Sequence, residues 1–334
     1  MFALNRVWLA LVSSAILSAF CSCSTRADDL PPKSLVIVTW NVEWMFDDYH
    51  ADNRSELAIA QSAPSKEYWQ TKVAAVASAI AATHAGIVAL QEIEGDQTLA
   101  AVANQLKQQH NIHYRHAFIQ GTDRFTEQDV GLLYSSGLMH YRRHEQTREM
   151  FESNRFYNLS KHLVAEFRWQ SVASPLTVMT VHLRASEESE DIRARQARLA
   201  KHWLEPQLKQ KQDVIVLGDF NSEQPVGEVT GDMRELVDPN SPYPMIDLLQ
   251  FSKPDQRRTH LIVDRSYDRI LISPSLIEDG EGLDWVFQKI EVRDELVFRG
   301  KRDGHEHWDG RLKLPLDEFD VSDHFPVVAT FELK

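Results

Sequence analysis

VIVLGDFN, residues 214–221, is the stretch on which the reading of this chain turns. Val214-Ile215-Val216-Leu217 is a continuous apolar, largely β-branched run, the mark of a strand buried on both faces. Gly218 ends it, and Asp219 and Asn221 follow at once. Such a strand delivers a carboxylate and a carboxamide to the rim of a sheet.

The same construction recurs along the chain. Leu35 to Trp40 (LVIVTW) leads into Asn41-Val42-Glu43, Ile87 to Leu90 (IVAL) into Gln91-Glu92, and Leu176 to Val181 (LTVMTV) into His182. Tyr267-Asp268 precedes Arg269 to Ser273 (RILIS), and Ser322-Asp323-His324 precedes Pro326 to Phe331. One block of this kind is an ordinary strand and turn, because Asp, Asn and Gly are turn residues. Six in succession gather acids, amides and two imidazoles, a set suited to a hard cation and to acid–base work on a phosphate ester.

Between these blocks, Lys72 to Ala82 and Thr98 to Gln109 read as helices, as does Asp191 to Lys209. Val130 to Tyr134 reads as a strand, and Leu163 to Trp169 with Leu176 to Leu183 as a hairpin. Residues 47–66 and 284–320 read as polar connections, the second a long flap. Strands with few helices between them, some parallel and some in hairpins, predict two packed mixed β-sheets with helices outside. The blocks span residues 40–324 and need one another, so residues 28–334 are read as a single domain.

The chain has 334 residues, 43% of them hydrophobic, which is ample for a core, and a net charge of −13. Such a charge gives no long-range attraction to a polyanion, so a nucleic-acid substrate would need local arginines and a metal. Arg142-Arg143, Arg193/Arg195/Arg198 and Arg257-Arg258 are the candidates, the middle group reading as a solvated helix face. Residues 1–27 read as a signal peptide and tether: Arg6, then an uncharged run from Val7 to Phe20 too short for a comfortable membrane span. The only cysteines are Cys21 and Cys23. Phe20-Cys21-Ser22-Cys23 resembles a bacterial lipobox with Cys23 acylated, whereas Thr25-Arg26-Ala27 offers ordinary cleavage after Ala27.

In this order the blocks resemble the endonuclease/exonuclease/phosphatase superfamily, from about Leu35 to Leu333. The most specific parts are GDFN at 218–221, YDRILIS at 267–273 and SDHFPV at 322–327, the last two nearest its deoxyribonuclease branch. The resemblance implies a four-layer α/β sandwich. It implies that Asn41, Glu92 and Asp323 surround Mg²⁺, with Mn²⁺ as a substitute and Ca²⁺ as a candidate second, structural ion. By the same resemblance His324 is the base, oriented by Asp268, and His182 is the acid that protonates the leaving oxygen. Asp219 and Asn221 position the attacking water or the phosphoryl oxygens. Asp129 is the candidate partner of His182, and Glu43, two residues after Asn41, a support on the same side.

The arginine and glutamine of the helix after His182 would lie beside the site. Glu94 stands where the deoxyribonuclease branch has a groove-reading arginine, and Glu94→Arg is expected to improve activity on duplex DNA. His305-Glu306-His307 is a weak zinc candidate, since two histidines alone do not make a site. The reading is a monomeric, exported, metal-dependent phosphodiesterase acting on DNA, anchored through Cys23 or free in the periplasm or medium. The alternatives are a phosphatase or sphingomyelinase-type enzyme of the same fold, and a non-catalytic surface lipoprotein; retention of both His182 and His324 speaks against the last.

Overall fold

The computed structural model describes residues 30–278, 280, 282–299, 306–313, 318 and 320–334. The strands are β1 (Ser34–Met45), β2 (Ile87–Ile93), β3 (Arg115–Phe118), β4 (Asp129–Tyr134), β5 (Leu138–Arg142) and β6 (His162–Phe167). They continue with β7 (Leu176–His182), β8 (Asp213–Asp219), β9 (Ile246–Asp247), β10 (Asp268–Ile272), β11 (Trp285–Val292) and β12 (Val327–Leu333). The helices are α1 (Glu56–Gln61), α2 (Lys66–Thr83), α3 (Asp96–His110), α4 (Arg148–Glu152), α5 (Glu190–Lys209), α6 (Arg234–Val237) and α7 (Glu306–Gly310). Two six-stranded sheets form, in the orders β11-β12-β1-β2-β4-β3 and β5-β6-β7-β8-β10-β9.

Side chains alternate along a strand, so each buried strand feeds two different cores. Leu35 and Ile37 of β1, Ile87 and Ala89 of β2, Val178 of β7, and Ile215 and Leu217 of β8 meet in one cluster between the sheets. The alternate residues Val38, Trp40, Val88 and Leu90 pack instead against α2 and α3. Val214 and Val216 pack against Leu199, Ala200 and Leu204 of α5. The four layers are therefore helix, sheet, sheet, helix, as expected.

β1 and β2 run parallel, as do β7 and β8, so four carboxyl ends reach the same end of the sandwich. β10 runs antiparallel to β8 with Asp268 opposite Asp219, which brings its first residue to that end too. β12 runs antiparallel to β1, so the loop before it arrives there as well.

Two segments read as irregular hold regular structure. Residues 47–66 contain α1, capped by Ser55, and the start of α2, capped by Ser65. Residues 284–320 contain β11, paired with β12 at the edge of its sheet, so that stretch is not simply a polar flap. Among the described residues no helix is long and apolar enough to cross a membrane. Cys21, Cys23 and His305 lie outside the described residues.

Candidate active site and metal centre

The site is the polar end of the core between the sheets. Counting by twos, Leu35-Ile37-Thr39 reaches Asn41, Leu176-Val178-Thr180 reaches His182, and Ile215-Leu217 reaches Asp219. Ile272 and Ile270 lead back to Asp268 in the same way. The last apolar-to-polar step is bridged by hydrogen bonds: Thr39 Oγ1 donates to Gln91 Oε1 (3.2 Å), and Gln91 Nε2 to Thr180 Oγ1 of the other sheet (3.2 Å). Side-chain alternation alone would aim Glu92 at the helices. A register shift between Gln91 and Ile93 and a positive φ of 61° at Glu92 turn it into the site instead.

Backbone strain gathers around these residues. Glu43 (φ 48°), Trp44 (φ 44°) and Asn221 (φ 49°) all adopt left-handed conformations. Gly218 has φ 146°, and a Cβ there would sit 1.9 Å from the Val181 carbonyl oxygen of β7. Only glycine lets β8 approach β7 closely enough to set Asp219 beside His182.

Asp219 is the hub. Asn41 Nδ2 donates to Asp219 Oδ2 and to Glu92 Oε1, each at 3.0 Å. His182 Nε2 lies 3.6 Å from Asp219 Oδ2 and 3.9 Å from Glu92 Oε1. His324 Nε2 lies 3.9 Å from the same Asp219 oxygen. Asn221 fixes Asp219 through its backbone N–H (2.8 Å) and donates from Nδ2 to the Leu183 carbonyl (3.1 Å). His324 Nδ1 meets Asp268 Oδ2 at 2.7 Å, the pair that orients a catalytic imidazole.

Of three compact groups that could hold a cation, two lie among these residues: Glu92, His182 and Asp219, and His260, Asp323 and His324, the ligand atoms of each lying within 4.8 Å of one another; the third is Asp47, Asp52 and Glu94. Asn41 and Glu92 are in contact, while Asp323 belongs to the adjoining group. The electrostatics fit a cation between them. Burial, then the charge of Asp323, pushes Glu92 up to about 7. Burial likewise raises Asp219, and burial together with Glu43 raises Asp323. Three closely set carboxylates, Asp219 and Asp323 buried and Glu92 half-buried, with unfavourable ionised forms mark a place where positive charge is wanted.

The two imidazoles stand in opposite states. Burial depresses His182 well below the ordinary value, with Lys161 and His324 adding to it. Burial also opposes charge on His324, but Asp268, Asp219 and Asp323 outweigh it and raise His324 well above the ordinary value.

Several expectations change. Asp129 does not serve His182: its carboxylate accepts from Gly121 N–H (2.7 Å) and from Gln120, and His182 Nδ1 has no hydrogen-bond partner among the described residues. Glu43 faces away from Asn41's partners, ion-paired to His307 (2.8 Å) and Arg311 (3.1 Å), which with burial opposed hold it at about 2. His307 is thereby committed to Glu43 and is not a free zinc ligand. Arg193 is not solvated but buried, paired with Asp232 and donating to the Ser186 carbonyl. Gln196, beside the site as expected, accepts from Arg184 N–H (2.9 Å). Glu94 accepts from Asp47 N–H and Asn53 Nδ2, both at 2.8 Å, so Glu94→Arg would break the loop it holds and is not expected to help.

Three contributors went unread. Lys161 is buried at the cleft wall, 3.5 Å from Asp123 and 3.3 Å from Gln128 Oε1. Trp308 donates from its indole N–H to Asp323 Oδ2 (2.9 Å). His260 accepts the N–H groups of Ile262 and Val263 at Nδ1 (3.1 and 3.2 Å), so its proton sits on Nε2, 3.7 Å from Asp323. None is announced by an apolar run, and only tertiary packing places them.

A family model for the endonuclease/exonuclease/phosphatase family matches residues 38–324. The chain belongs to that family. Its members are hydrolases acting on phosphoester bonds. Among solved structures, a humanized D. rerio TDP2 with 14 mutations superposes with a TM-score of 0.57 at 16% identity, covering 90% of this chain and 100% of that one. The human nocturnin catalytic domain gives 0.55 at 14% identity, covering 90% and 95%. A family member from Bacteroides thetaiotaomicron gives 0.55 at 14%, covering 91% and 99%. At such identities the likeness is one of fold. No curated protein matches the chain in sequence.

Proposed function

We propose that this protein is an exported, metal-dependent phosphodiesterase that hydrolyses DNA by in-line attack of water. The observation that carries the reading is the convergence of two imidazole Nε2 atoms on Asp219 Oδ2, at 3.6 Å from His182 and 3.9 Å from His324. Two imidazoles at one site can supply the acid and the base that in-line displacement at phosphorus requires. A neighbour in the fold, D. rerio TDP2, has been solved with a single-strand DNA product, which favours a nucleic-acid substrate over a lipid headgroup.

Asn41, Glu92 and Asp323 would hold Mg²⁺ or Mn²⁺, which would offset charge on the phosphoryl oxygens and the leaving oxygen. In its neutral form His324 would take a proton from water at Nε2. Asp268 holds its ring and stabilises the imidazolium that results. The negative charge of a phosphodiester beside His182 restores a proton there, which passes to the leaving oxygen. Asp219 and Asn221 orient the attacking water, and Lys161 supplies positive charge at the cleft wall.

The N-terminal segment is read as an export signal with Cys23 acylated, and the enzyme as a monomer. Membrane fractionation of the wild type and Cys23→Ser tests the first, and size-exclusion chromatography the second. The central experiment offers the purified protein DNA, RNA, sphingomyelin vesicles and bis(4-nitrophenyl) phosphate, with Mg²⁺, Mn²⁺, Ca²⁺ or chelator. Chelator-sensitive cleavage of DNA is expected. Full activity in excess chelator ends the metal reading, and hydrolysis of sphingomyelin with no polynucleotide cut ends the nuclease reading.

A further inference from the structure

Resting on the nuclease reading, we propose that the cleft takes a single-stranded polynucleotide, whose unpaired bases stack on Phe125, Phe151 and Tyr157. The cleft has a volume of about 1070 Å³ and reaches from His182 and Asp219 out to these three rings. That exceeds the usual size of a small-molecule pocket. Phe125 and Phe151 are each 68% exposed, and Tyr157 38%. Single exposed apolar residues need no explanation, but three aromatics rimming the cleft that holds the catalytic residues do.

The backbone that carries the rings is held in place before anything binds. Asp123 accepts the backbone N–H groups of Phe125 (2.9 Å) and Thr126 (3.2 Å), which fixes the tip carrying Phe125. The same carboxylate is tied to Lys161 in the cleft wall. Glu127 clamps the loop from the far side by accepting from the N–H groups of Arg54 (2.9 Å) and Ser55. Phe151 rides on α4, capped by the Thr147 hydroxyl. Tyr157 lies under the Arg195 guanidinium at 5.4 Å, and Arg195 is itself held by the Phe156 carbonyl (3.3 Å). Platforms ordered in advance lose little entropy on binding.

Charge agrees with this. The chain is acidic as a whole, but Arg124, Lys161, Arg184 and Arg195 all line this cleft. Local cations that follow a backbone, interleaved with aromatic faces, are how single strands are gripped without sequence reading. A duplex keeps its base faces stacked on one another and offers them nothing. Reading it by its groove would need an inserted arm, and Glu94, where one would start, is committed to Asp47 and Asn53. A lipid surface fits less well, because Arg124, Asn154 and Arg184 line the same cleft as the rings and leave it mixed in character.

The test compares a single-stranded DNA oligomer, the same sequence as a blunt duplex, sphingomyelin vesicles and bis(4-nitrophenyl) phosphate. The wild type should prefer the single strand over the duplex. Phe125→Ala and Phe151→Ala should each raise KM for the strand about 5- to 150-fold, the scale of one lost base stack. They should lower the ratio of strand to aryl-diester kcat/KM accordingly, and Phe125→Trp should restore it. Equal cleavage of duplex and strand, or alanine variants with unchanged KM, overturns the stacking proposal while leaving the nuclease reading intact. Cleavage of sphingomyelin with no polynucleotide cut overturns both.

Discussion

Replacing Asp268 by Asn isolates the charge that governs His324. Asp268 is fully buried, and its place is fixed by pairing with Asp219 and by its own N–H donating to Thr259 Oγ1 (3.0 Å). Asn is the same size, so the ring should stay where it is while the 2.7 Å bond loses its charge. A bond to a charged group contributes about 1.5–3 kcal/mol, and that sets the scale of the lost stability. The sign follows from His324, whose folded-state pKa is raised well above the ordinary value by Asp268, Asp219 and Asp323 against the cost of burial. A raised histidine stabilises fully below its unfolded pKa of about 6.5, and the contribution is lost as pH climbs through the folded value. The gap between wild type and Asp268→Asn should therefore be widest in acid and close in alkali, measured by urea unfolding in chelator at several pH values. In catalysis, the same exchange behind a protease histidine lowers kcat about 10⁴-fold, so a fall of about 10²–10⁴ is expected here. A stability gap independent of pH, together with kcat within threefold of wild type, would refute the assignment of His324 as the oriented base.

Glu92→Gln should cost about a hundredfold or more in rate, the scale of a preorganised electrostatic group. Because Glu92 sits near 7 in the free protein, metal affinity of the wild type should fall as pH drops below that value, and calorimetry in two buffers should show a proton released on binding; binding with no proton released would remove Glu92 from the ligands. Lys161→Met should raise the titration of His182, which Lys161 helps to depress after burial, and reduce kcat/KM about 10- to 100-fold. An NMR titration of His182 that does not move would show that the lysine acts elsewhere. Gly218→Ala should destabilise by about 3 kcal/mol or more, since its Cβ would meet the Val181 carbonyl at 1.9 Å; a wild-type Tm would show that β7 and β8 can part freely.

What could be read from the sequence was what the interior dictates. Leu35 to Trp40, Ile87 to Leu90 and Val214 to Leu217 are buried on both faces, so their patterns leave no choice but strand. The strands that escaped, β3, β5, β9 and β11, are the four edges of the two sheets. An edge strand has fewer neighbours and tolerates charge: Gln288, Lys289 and Glu291 of β11 face outward and disguise it as a polar connection. The site divides along the same line. Asn41, His182, Asp219 and Asp268 continue the two-residue period of the inter-sheet core, so their convergence is written in the spacing. Lys161 and His260 lie outside the named strands and helices and Trp308 in the five-residue α7, and all three owe their position to tertiary contacts, such as Trp308 with Asp323 and Lys161 with Asp123. Of the rings at the cleft, Phe125 and Tyr157 lie on loops and Phe151 on the short helix α4, between the patterned strands. The reaction is built on buried strand ends and the substrate is met by exposed loops, so a sequence pattern that reveals the first is bound to be silent on the second.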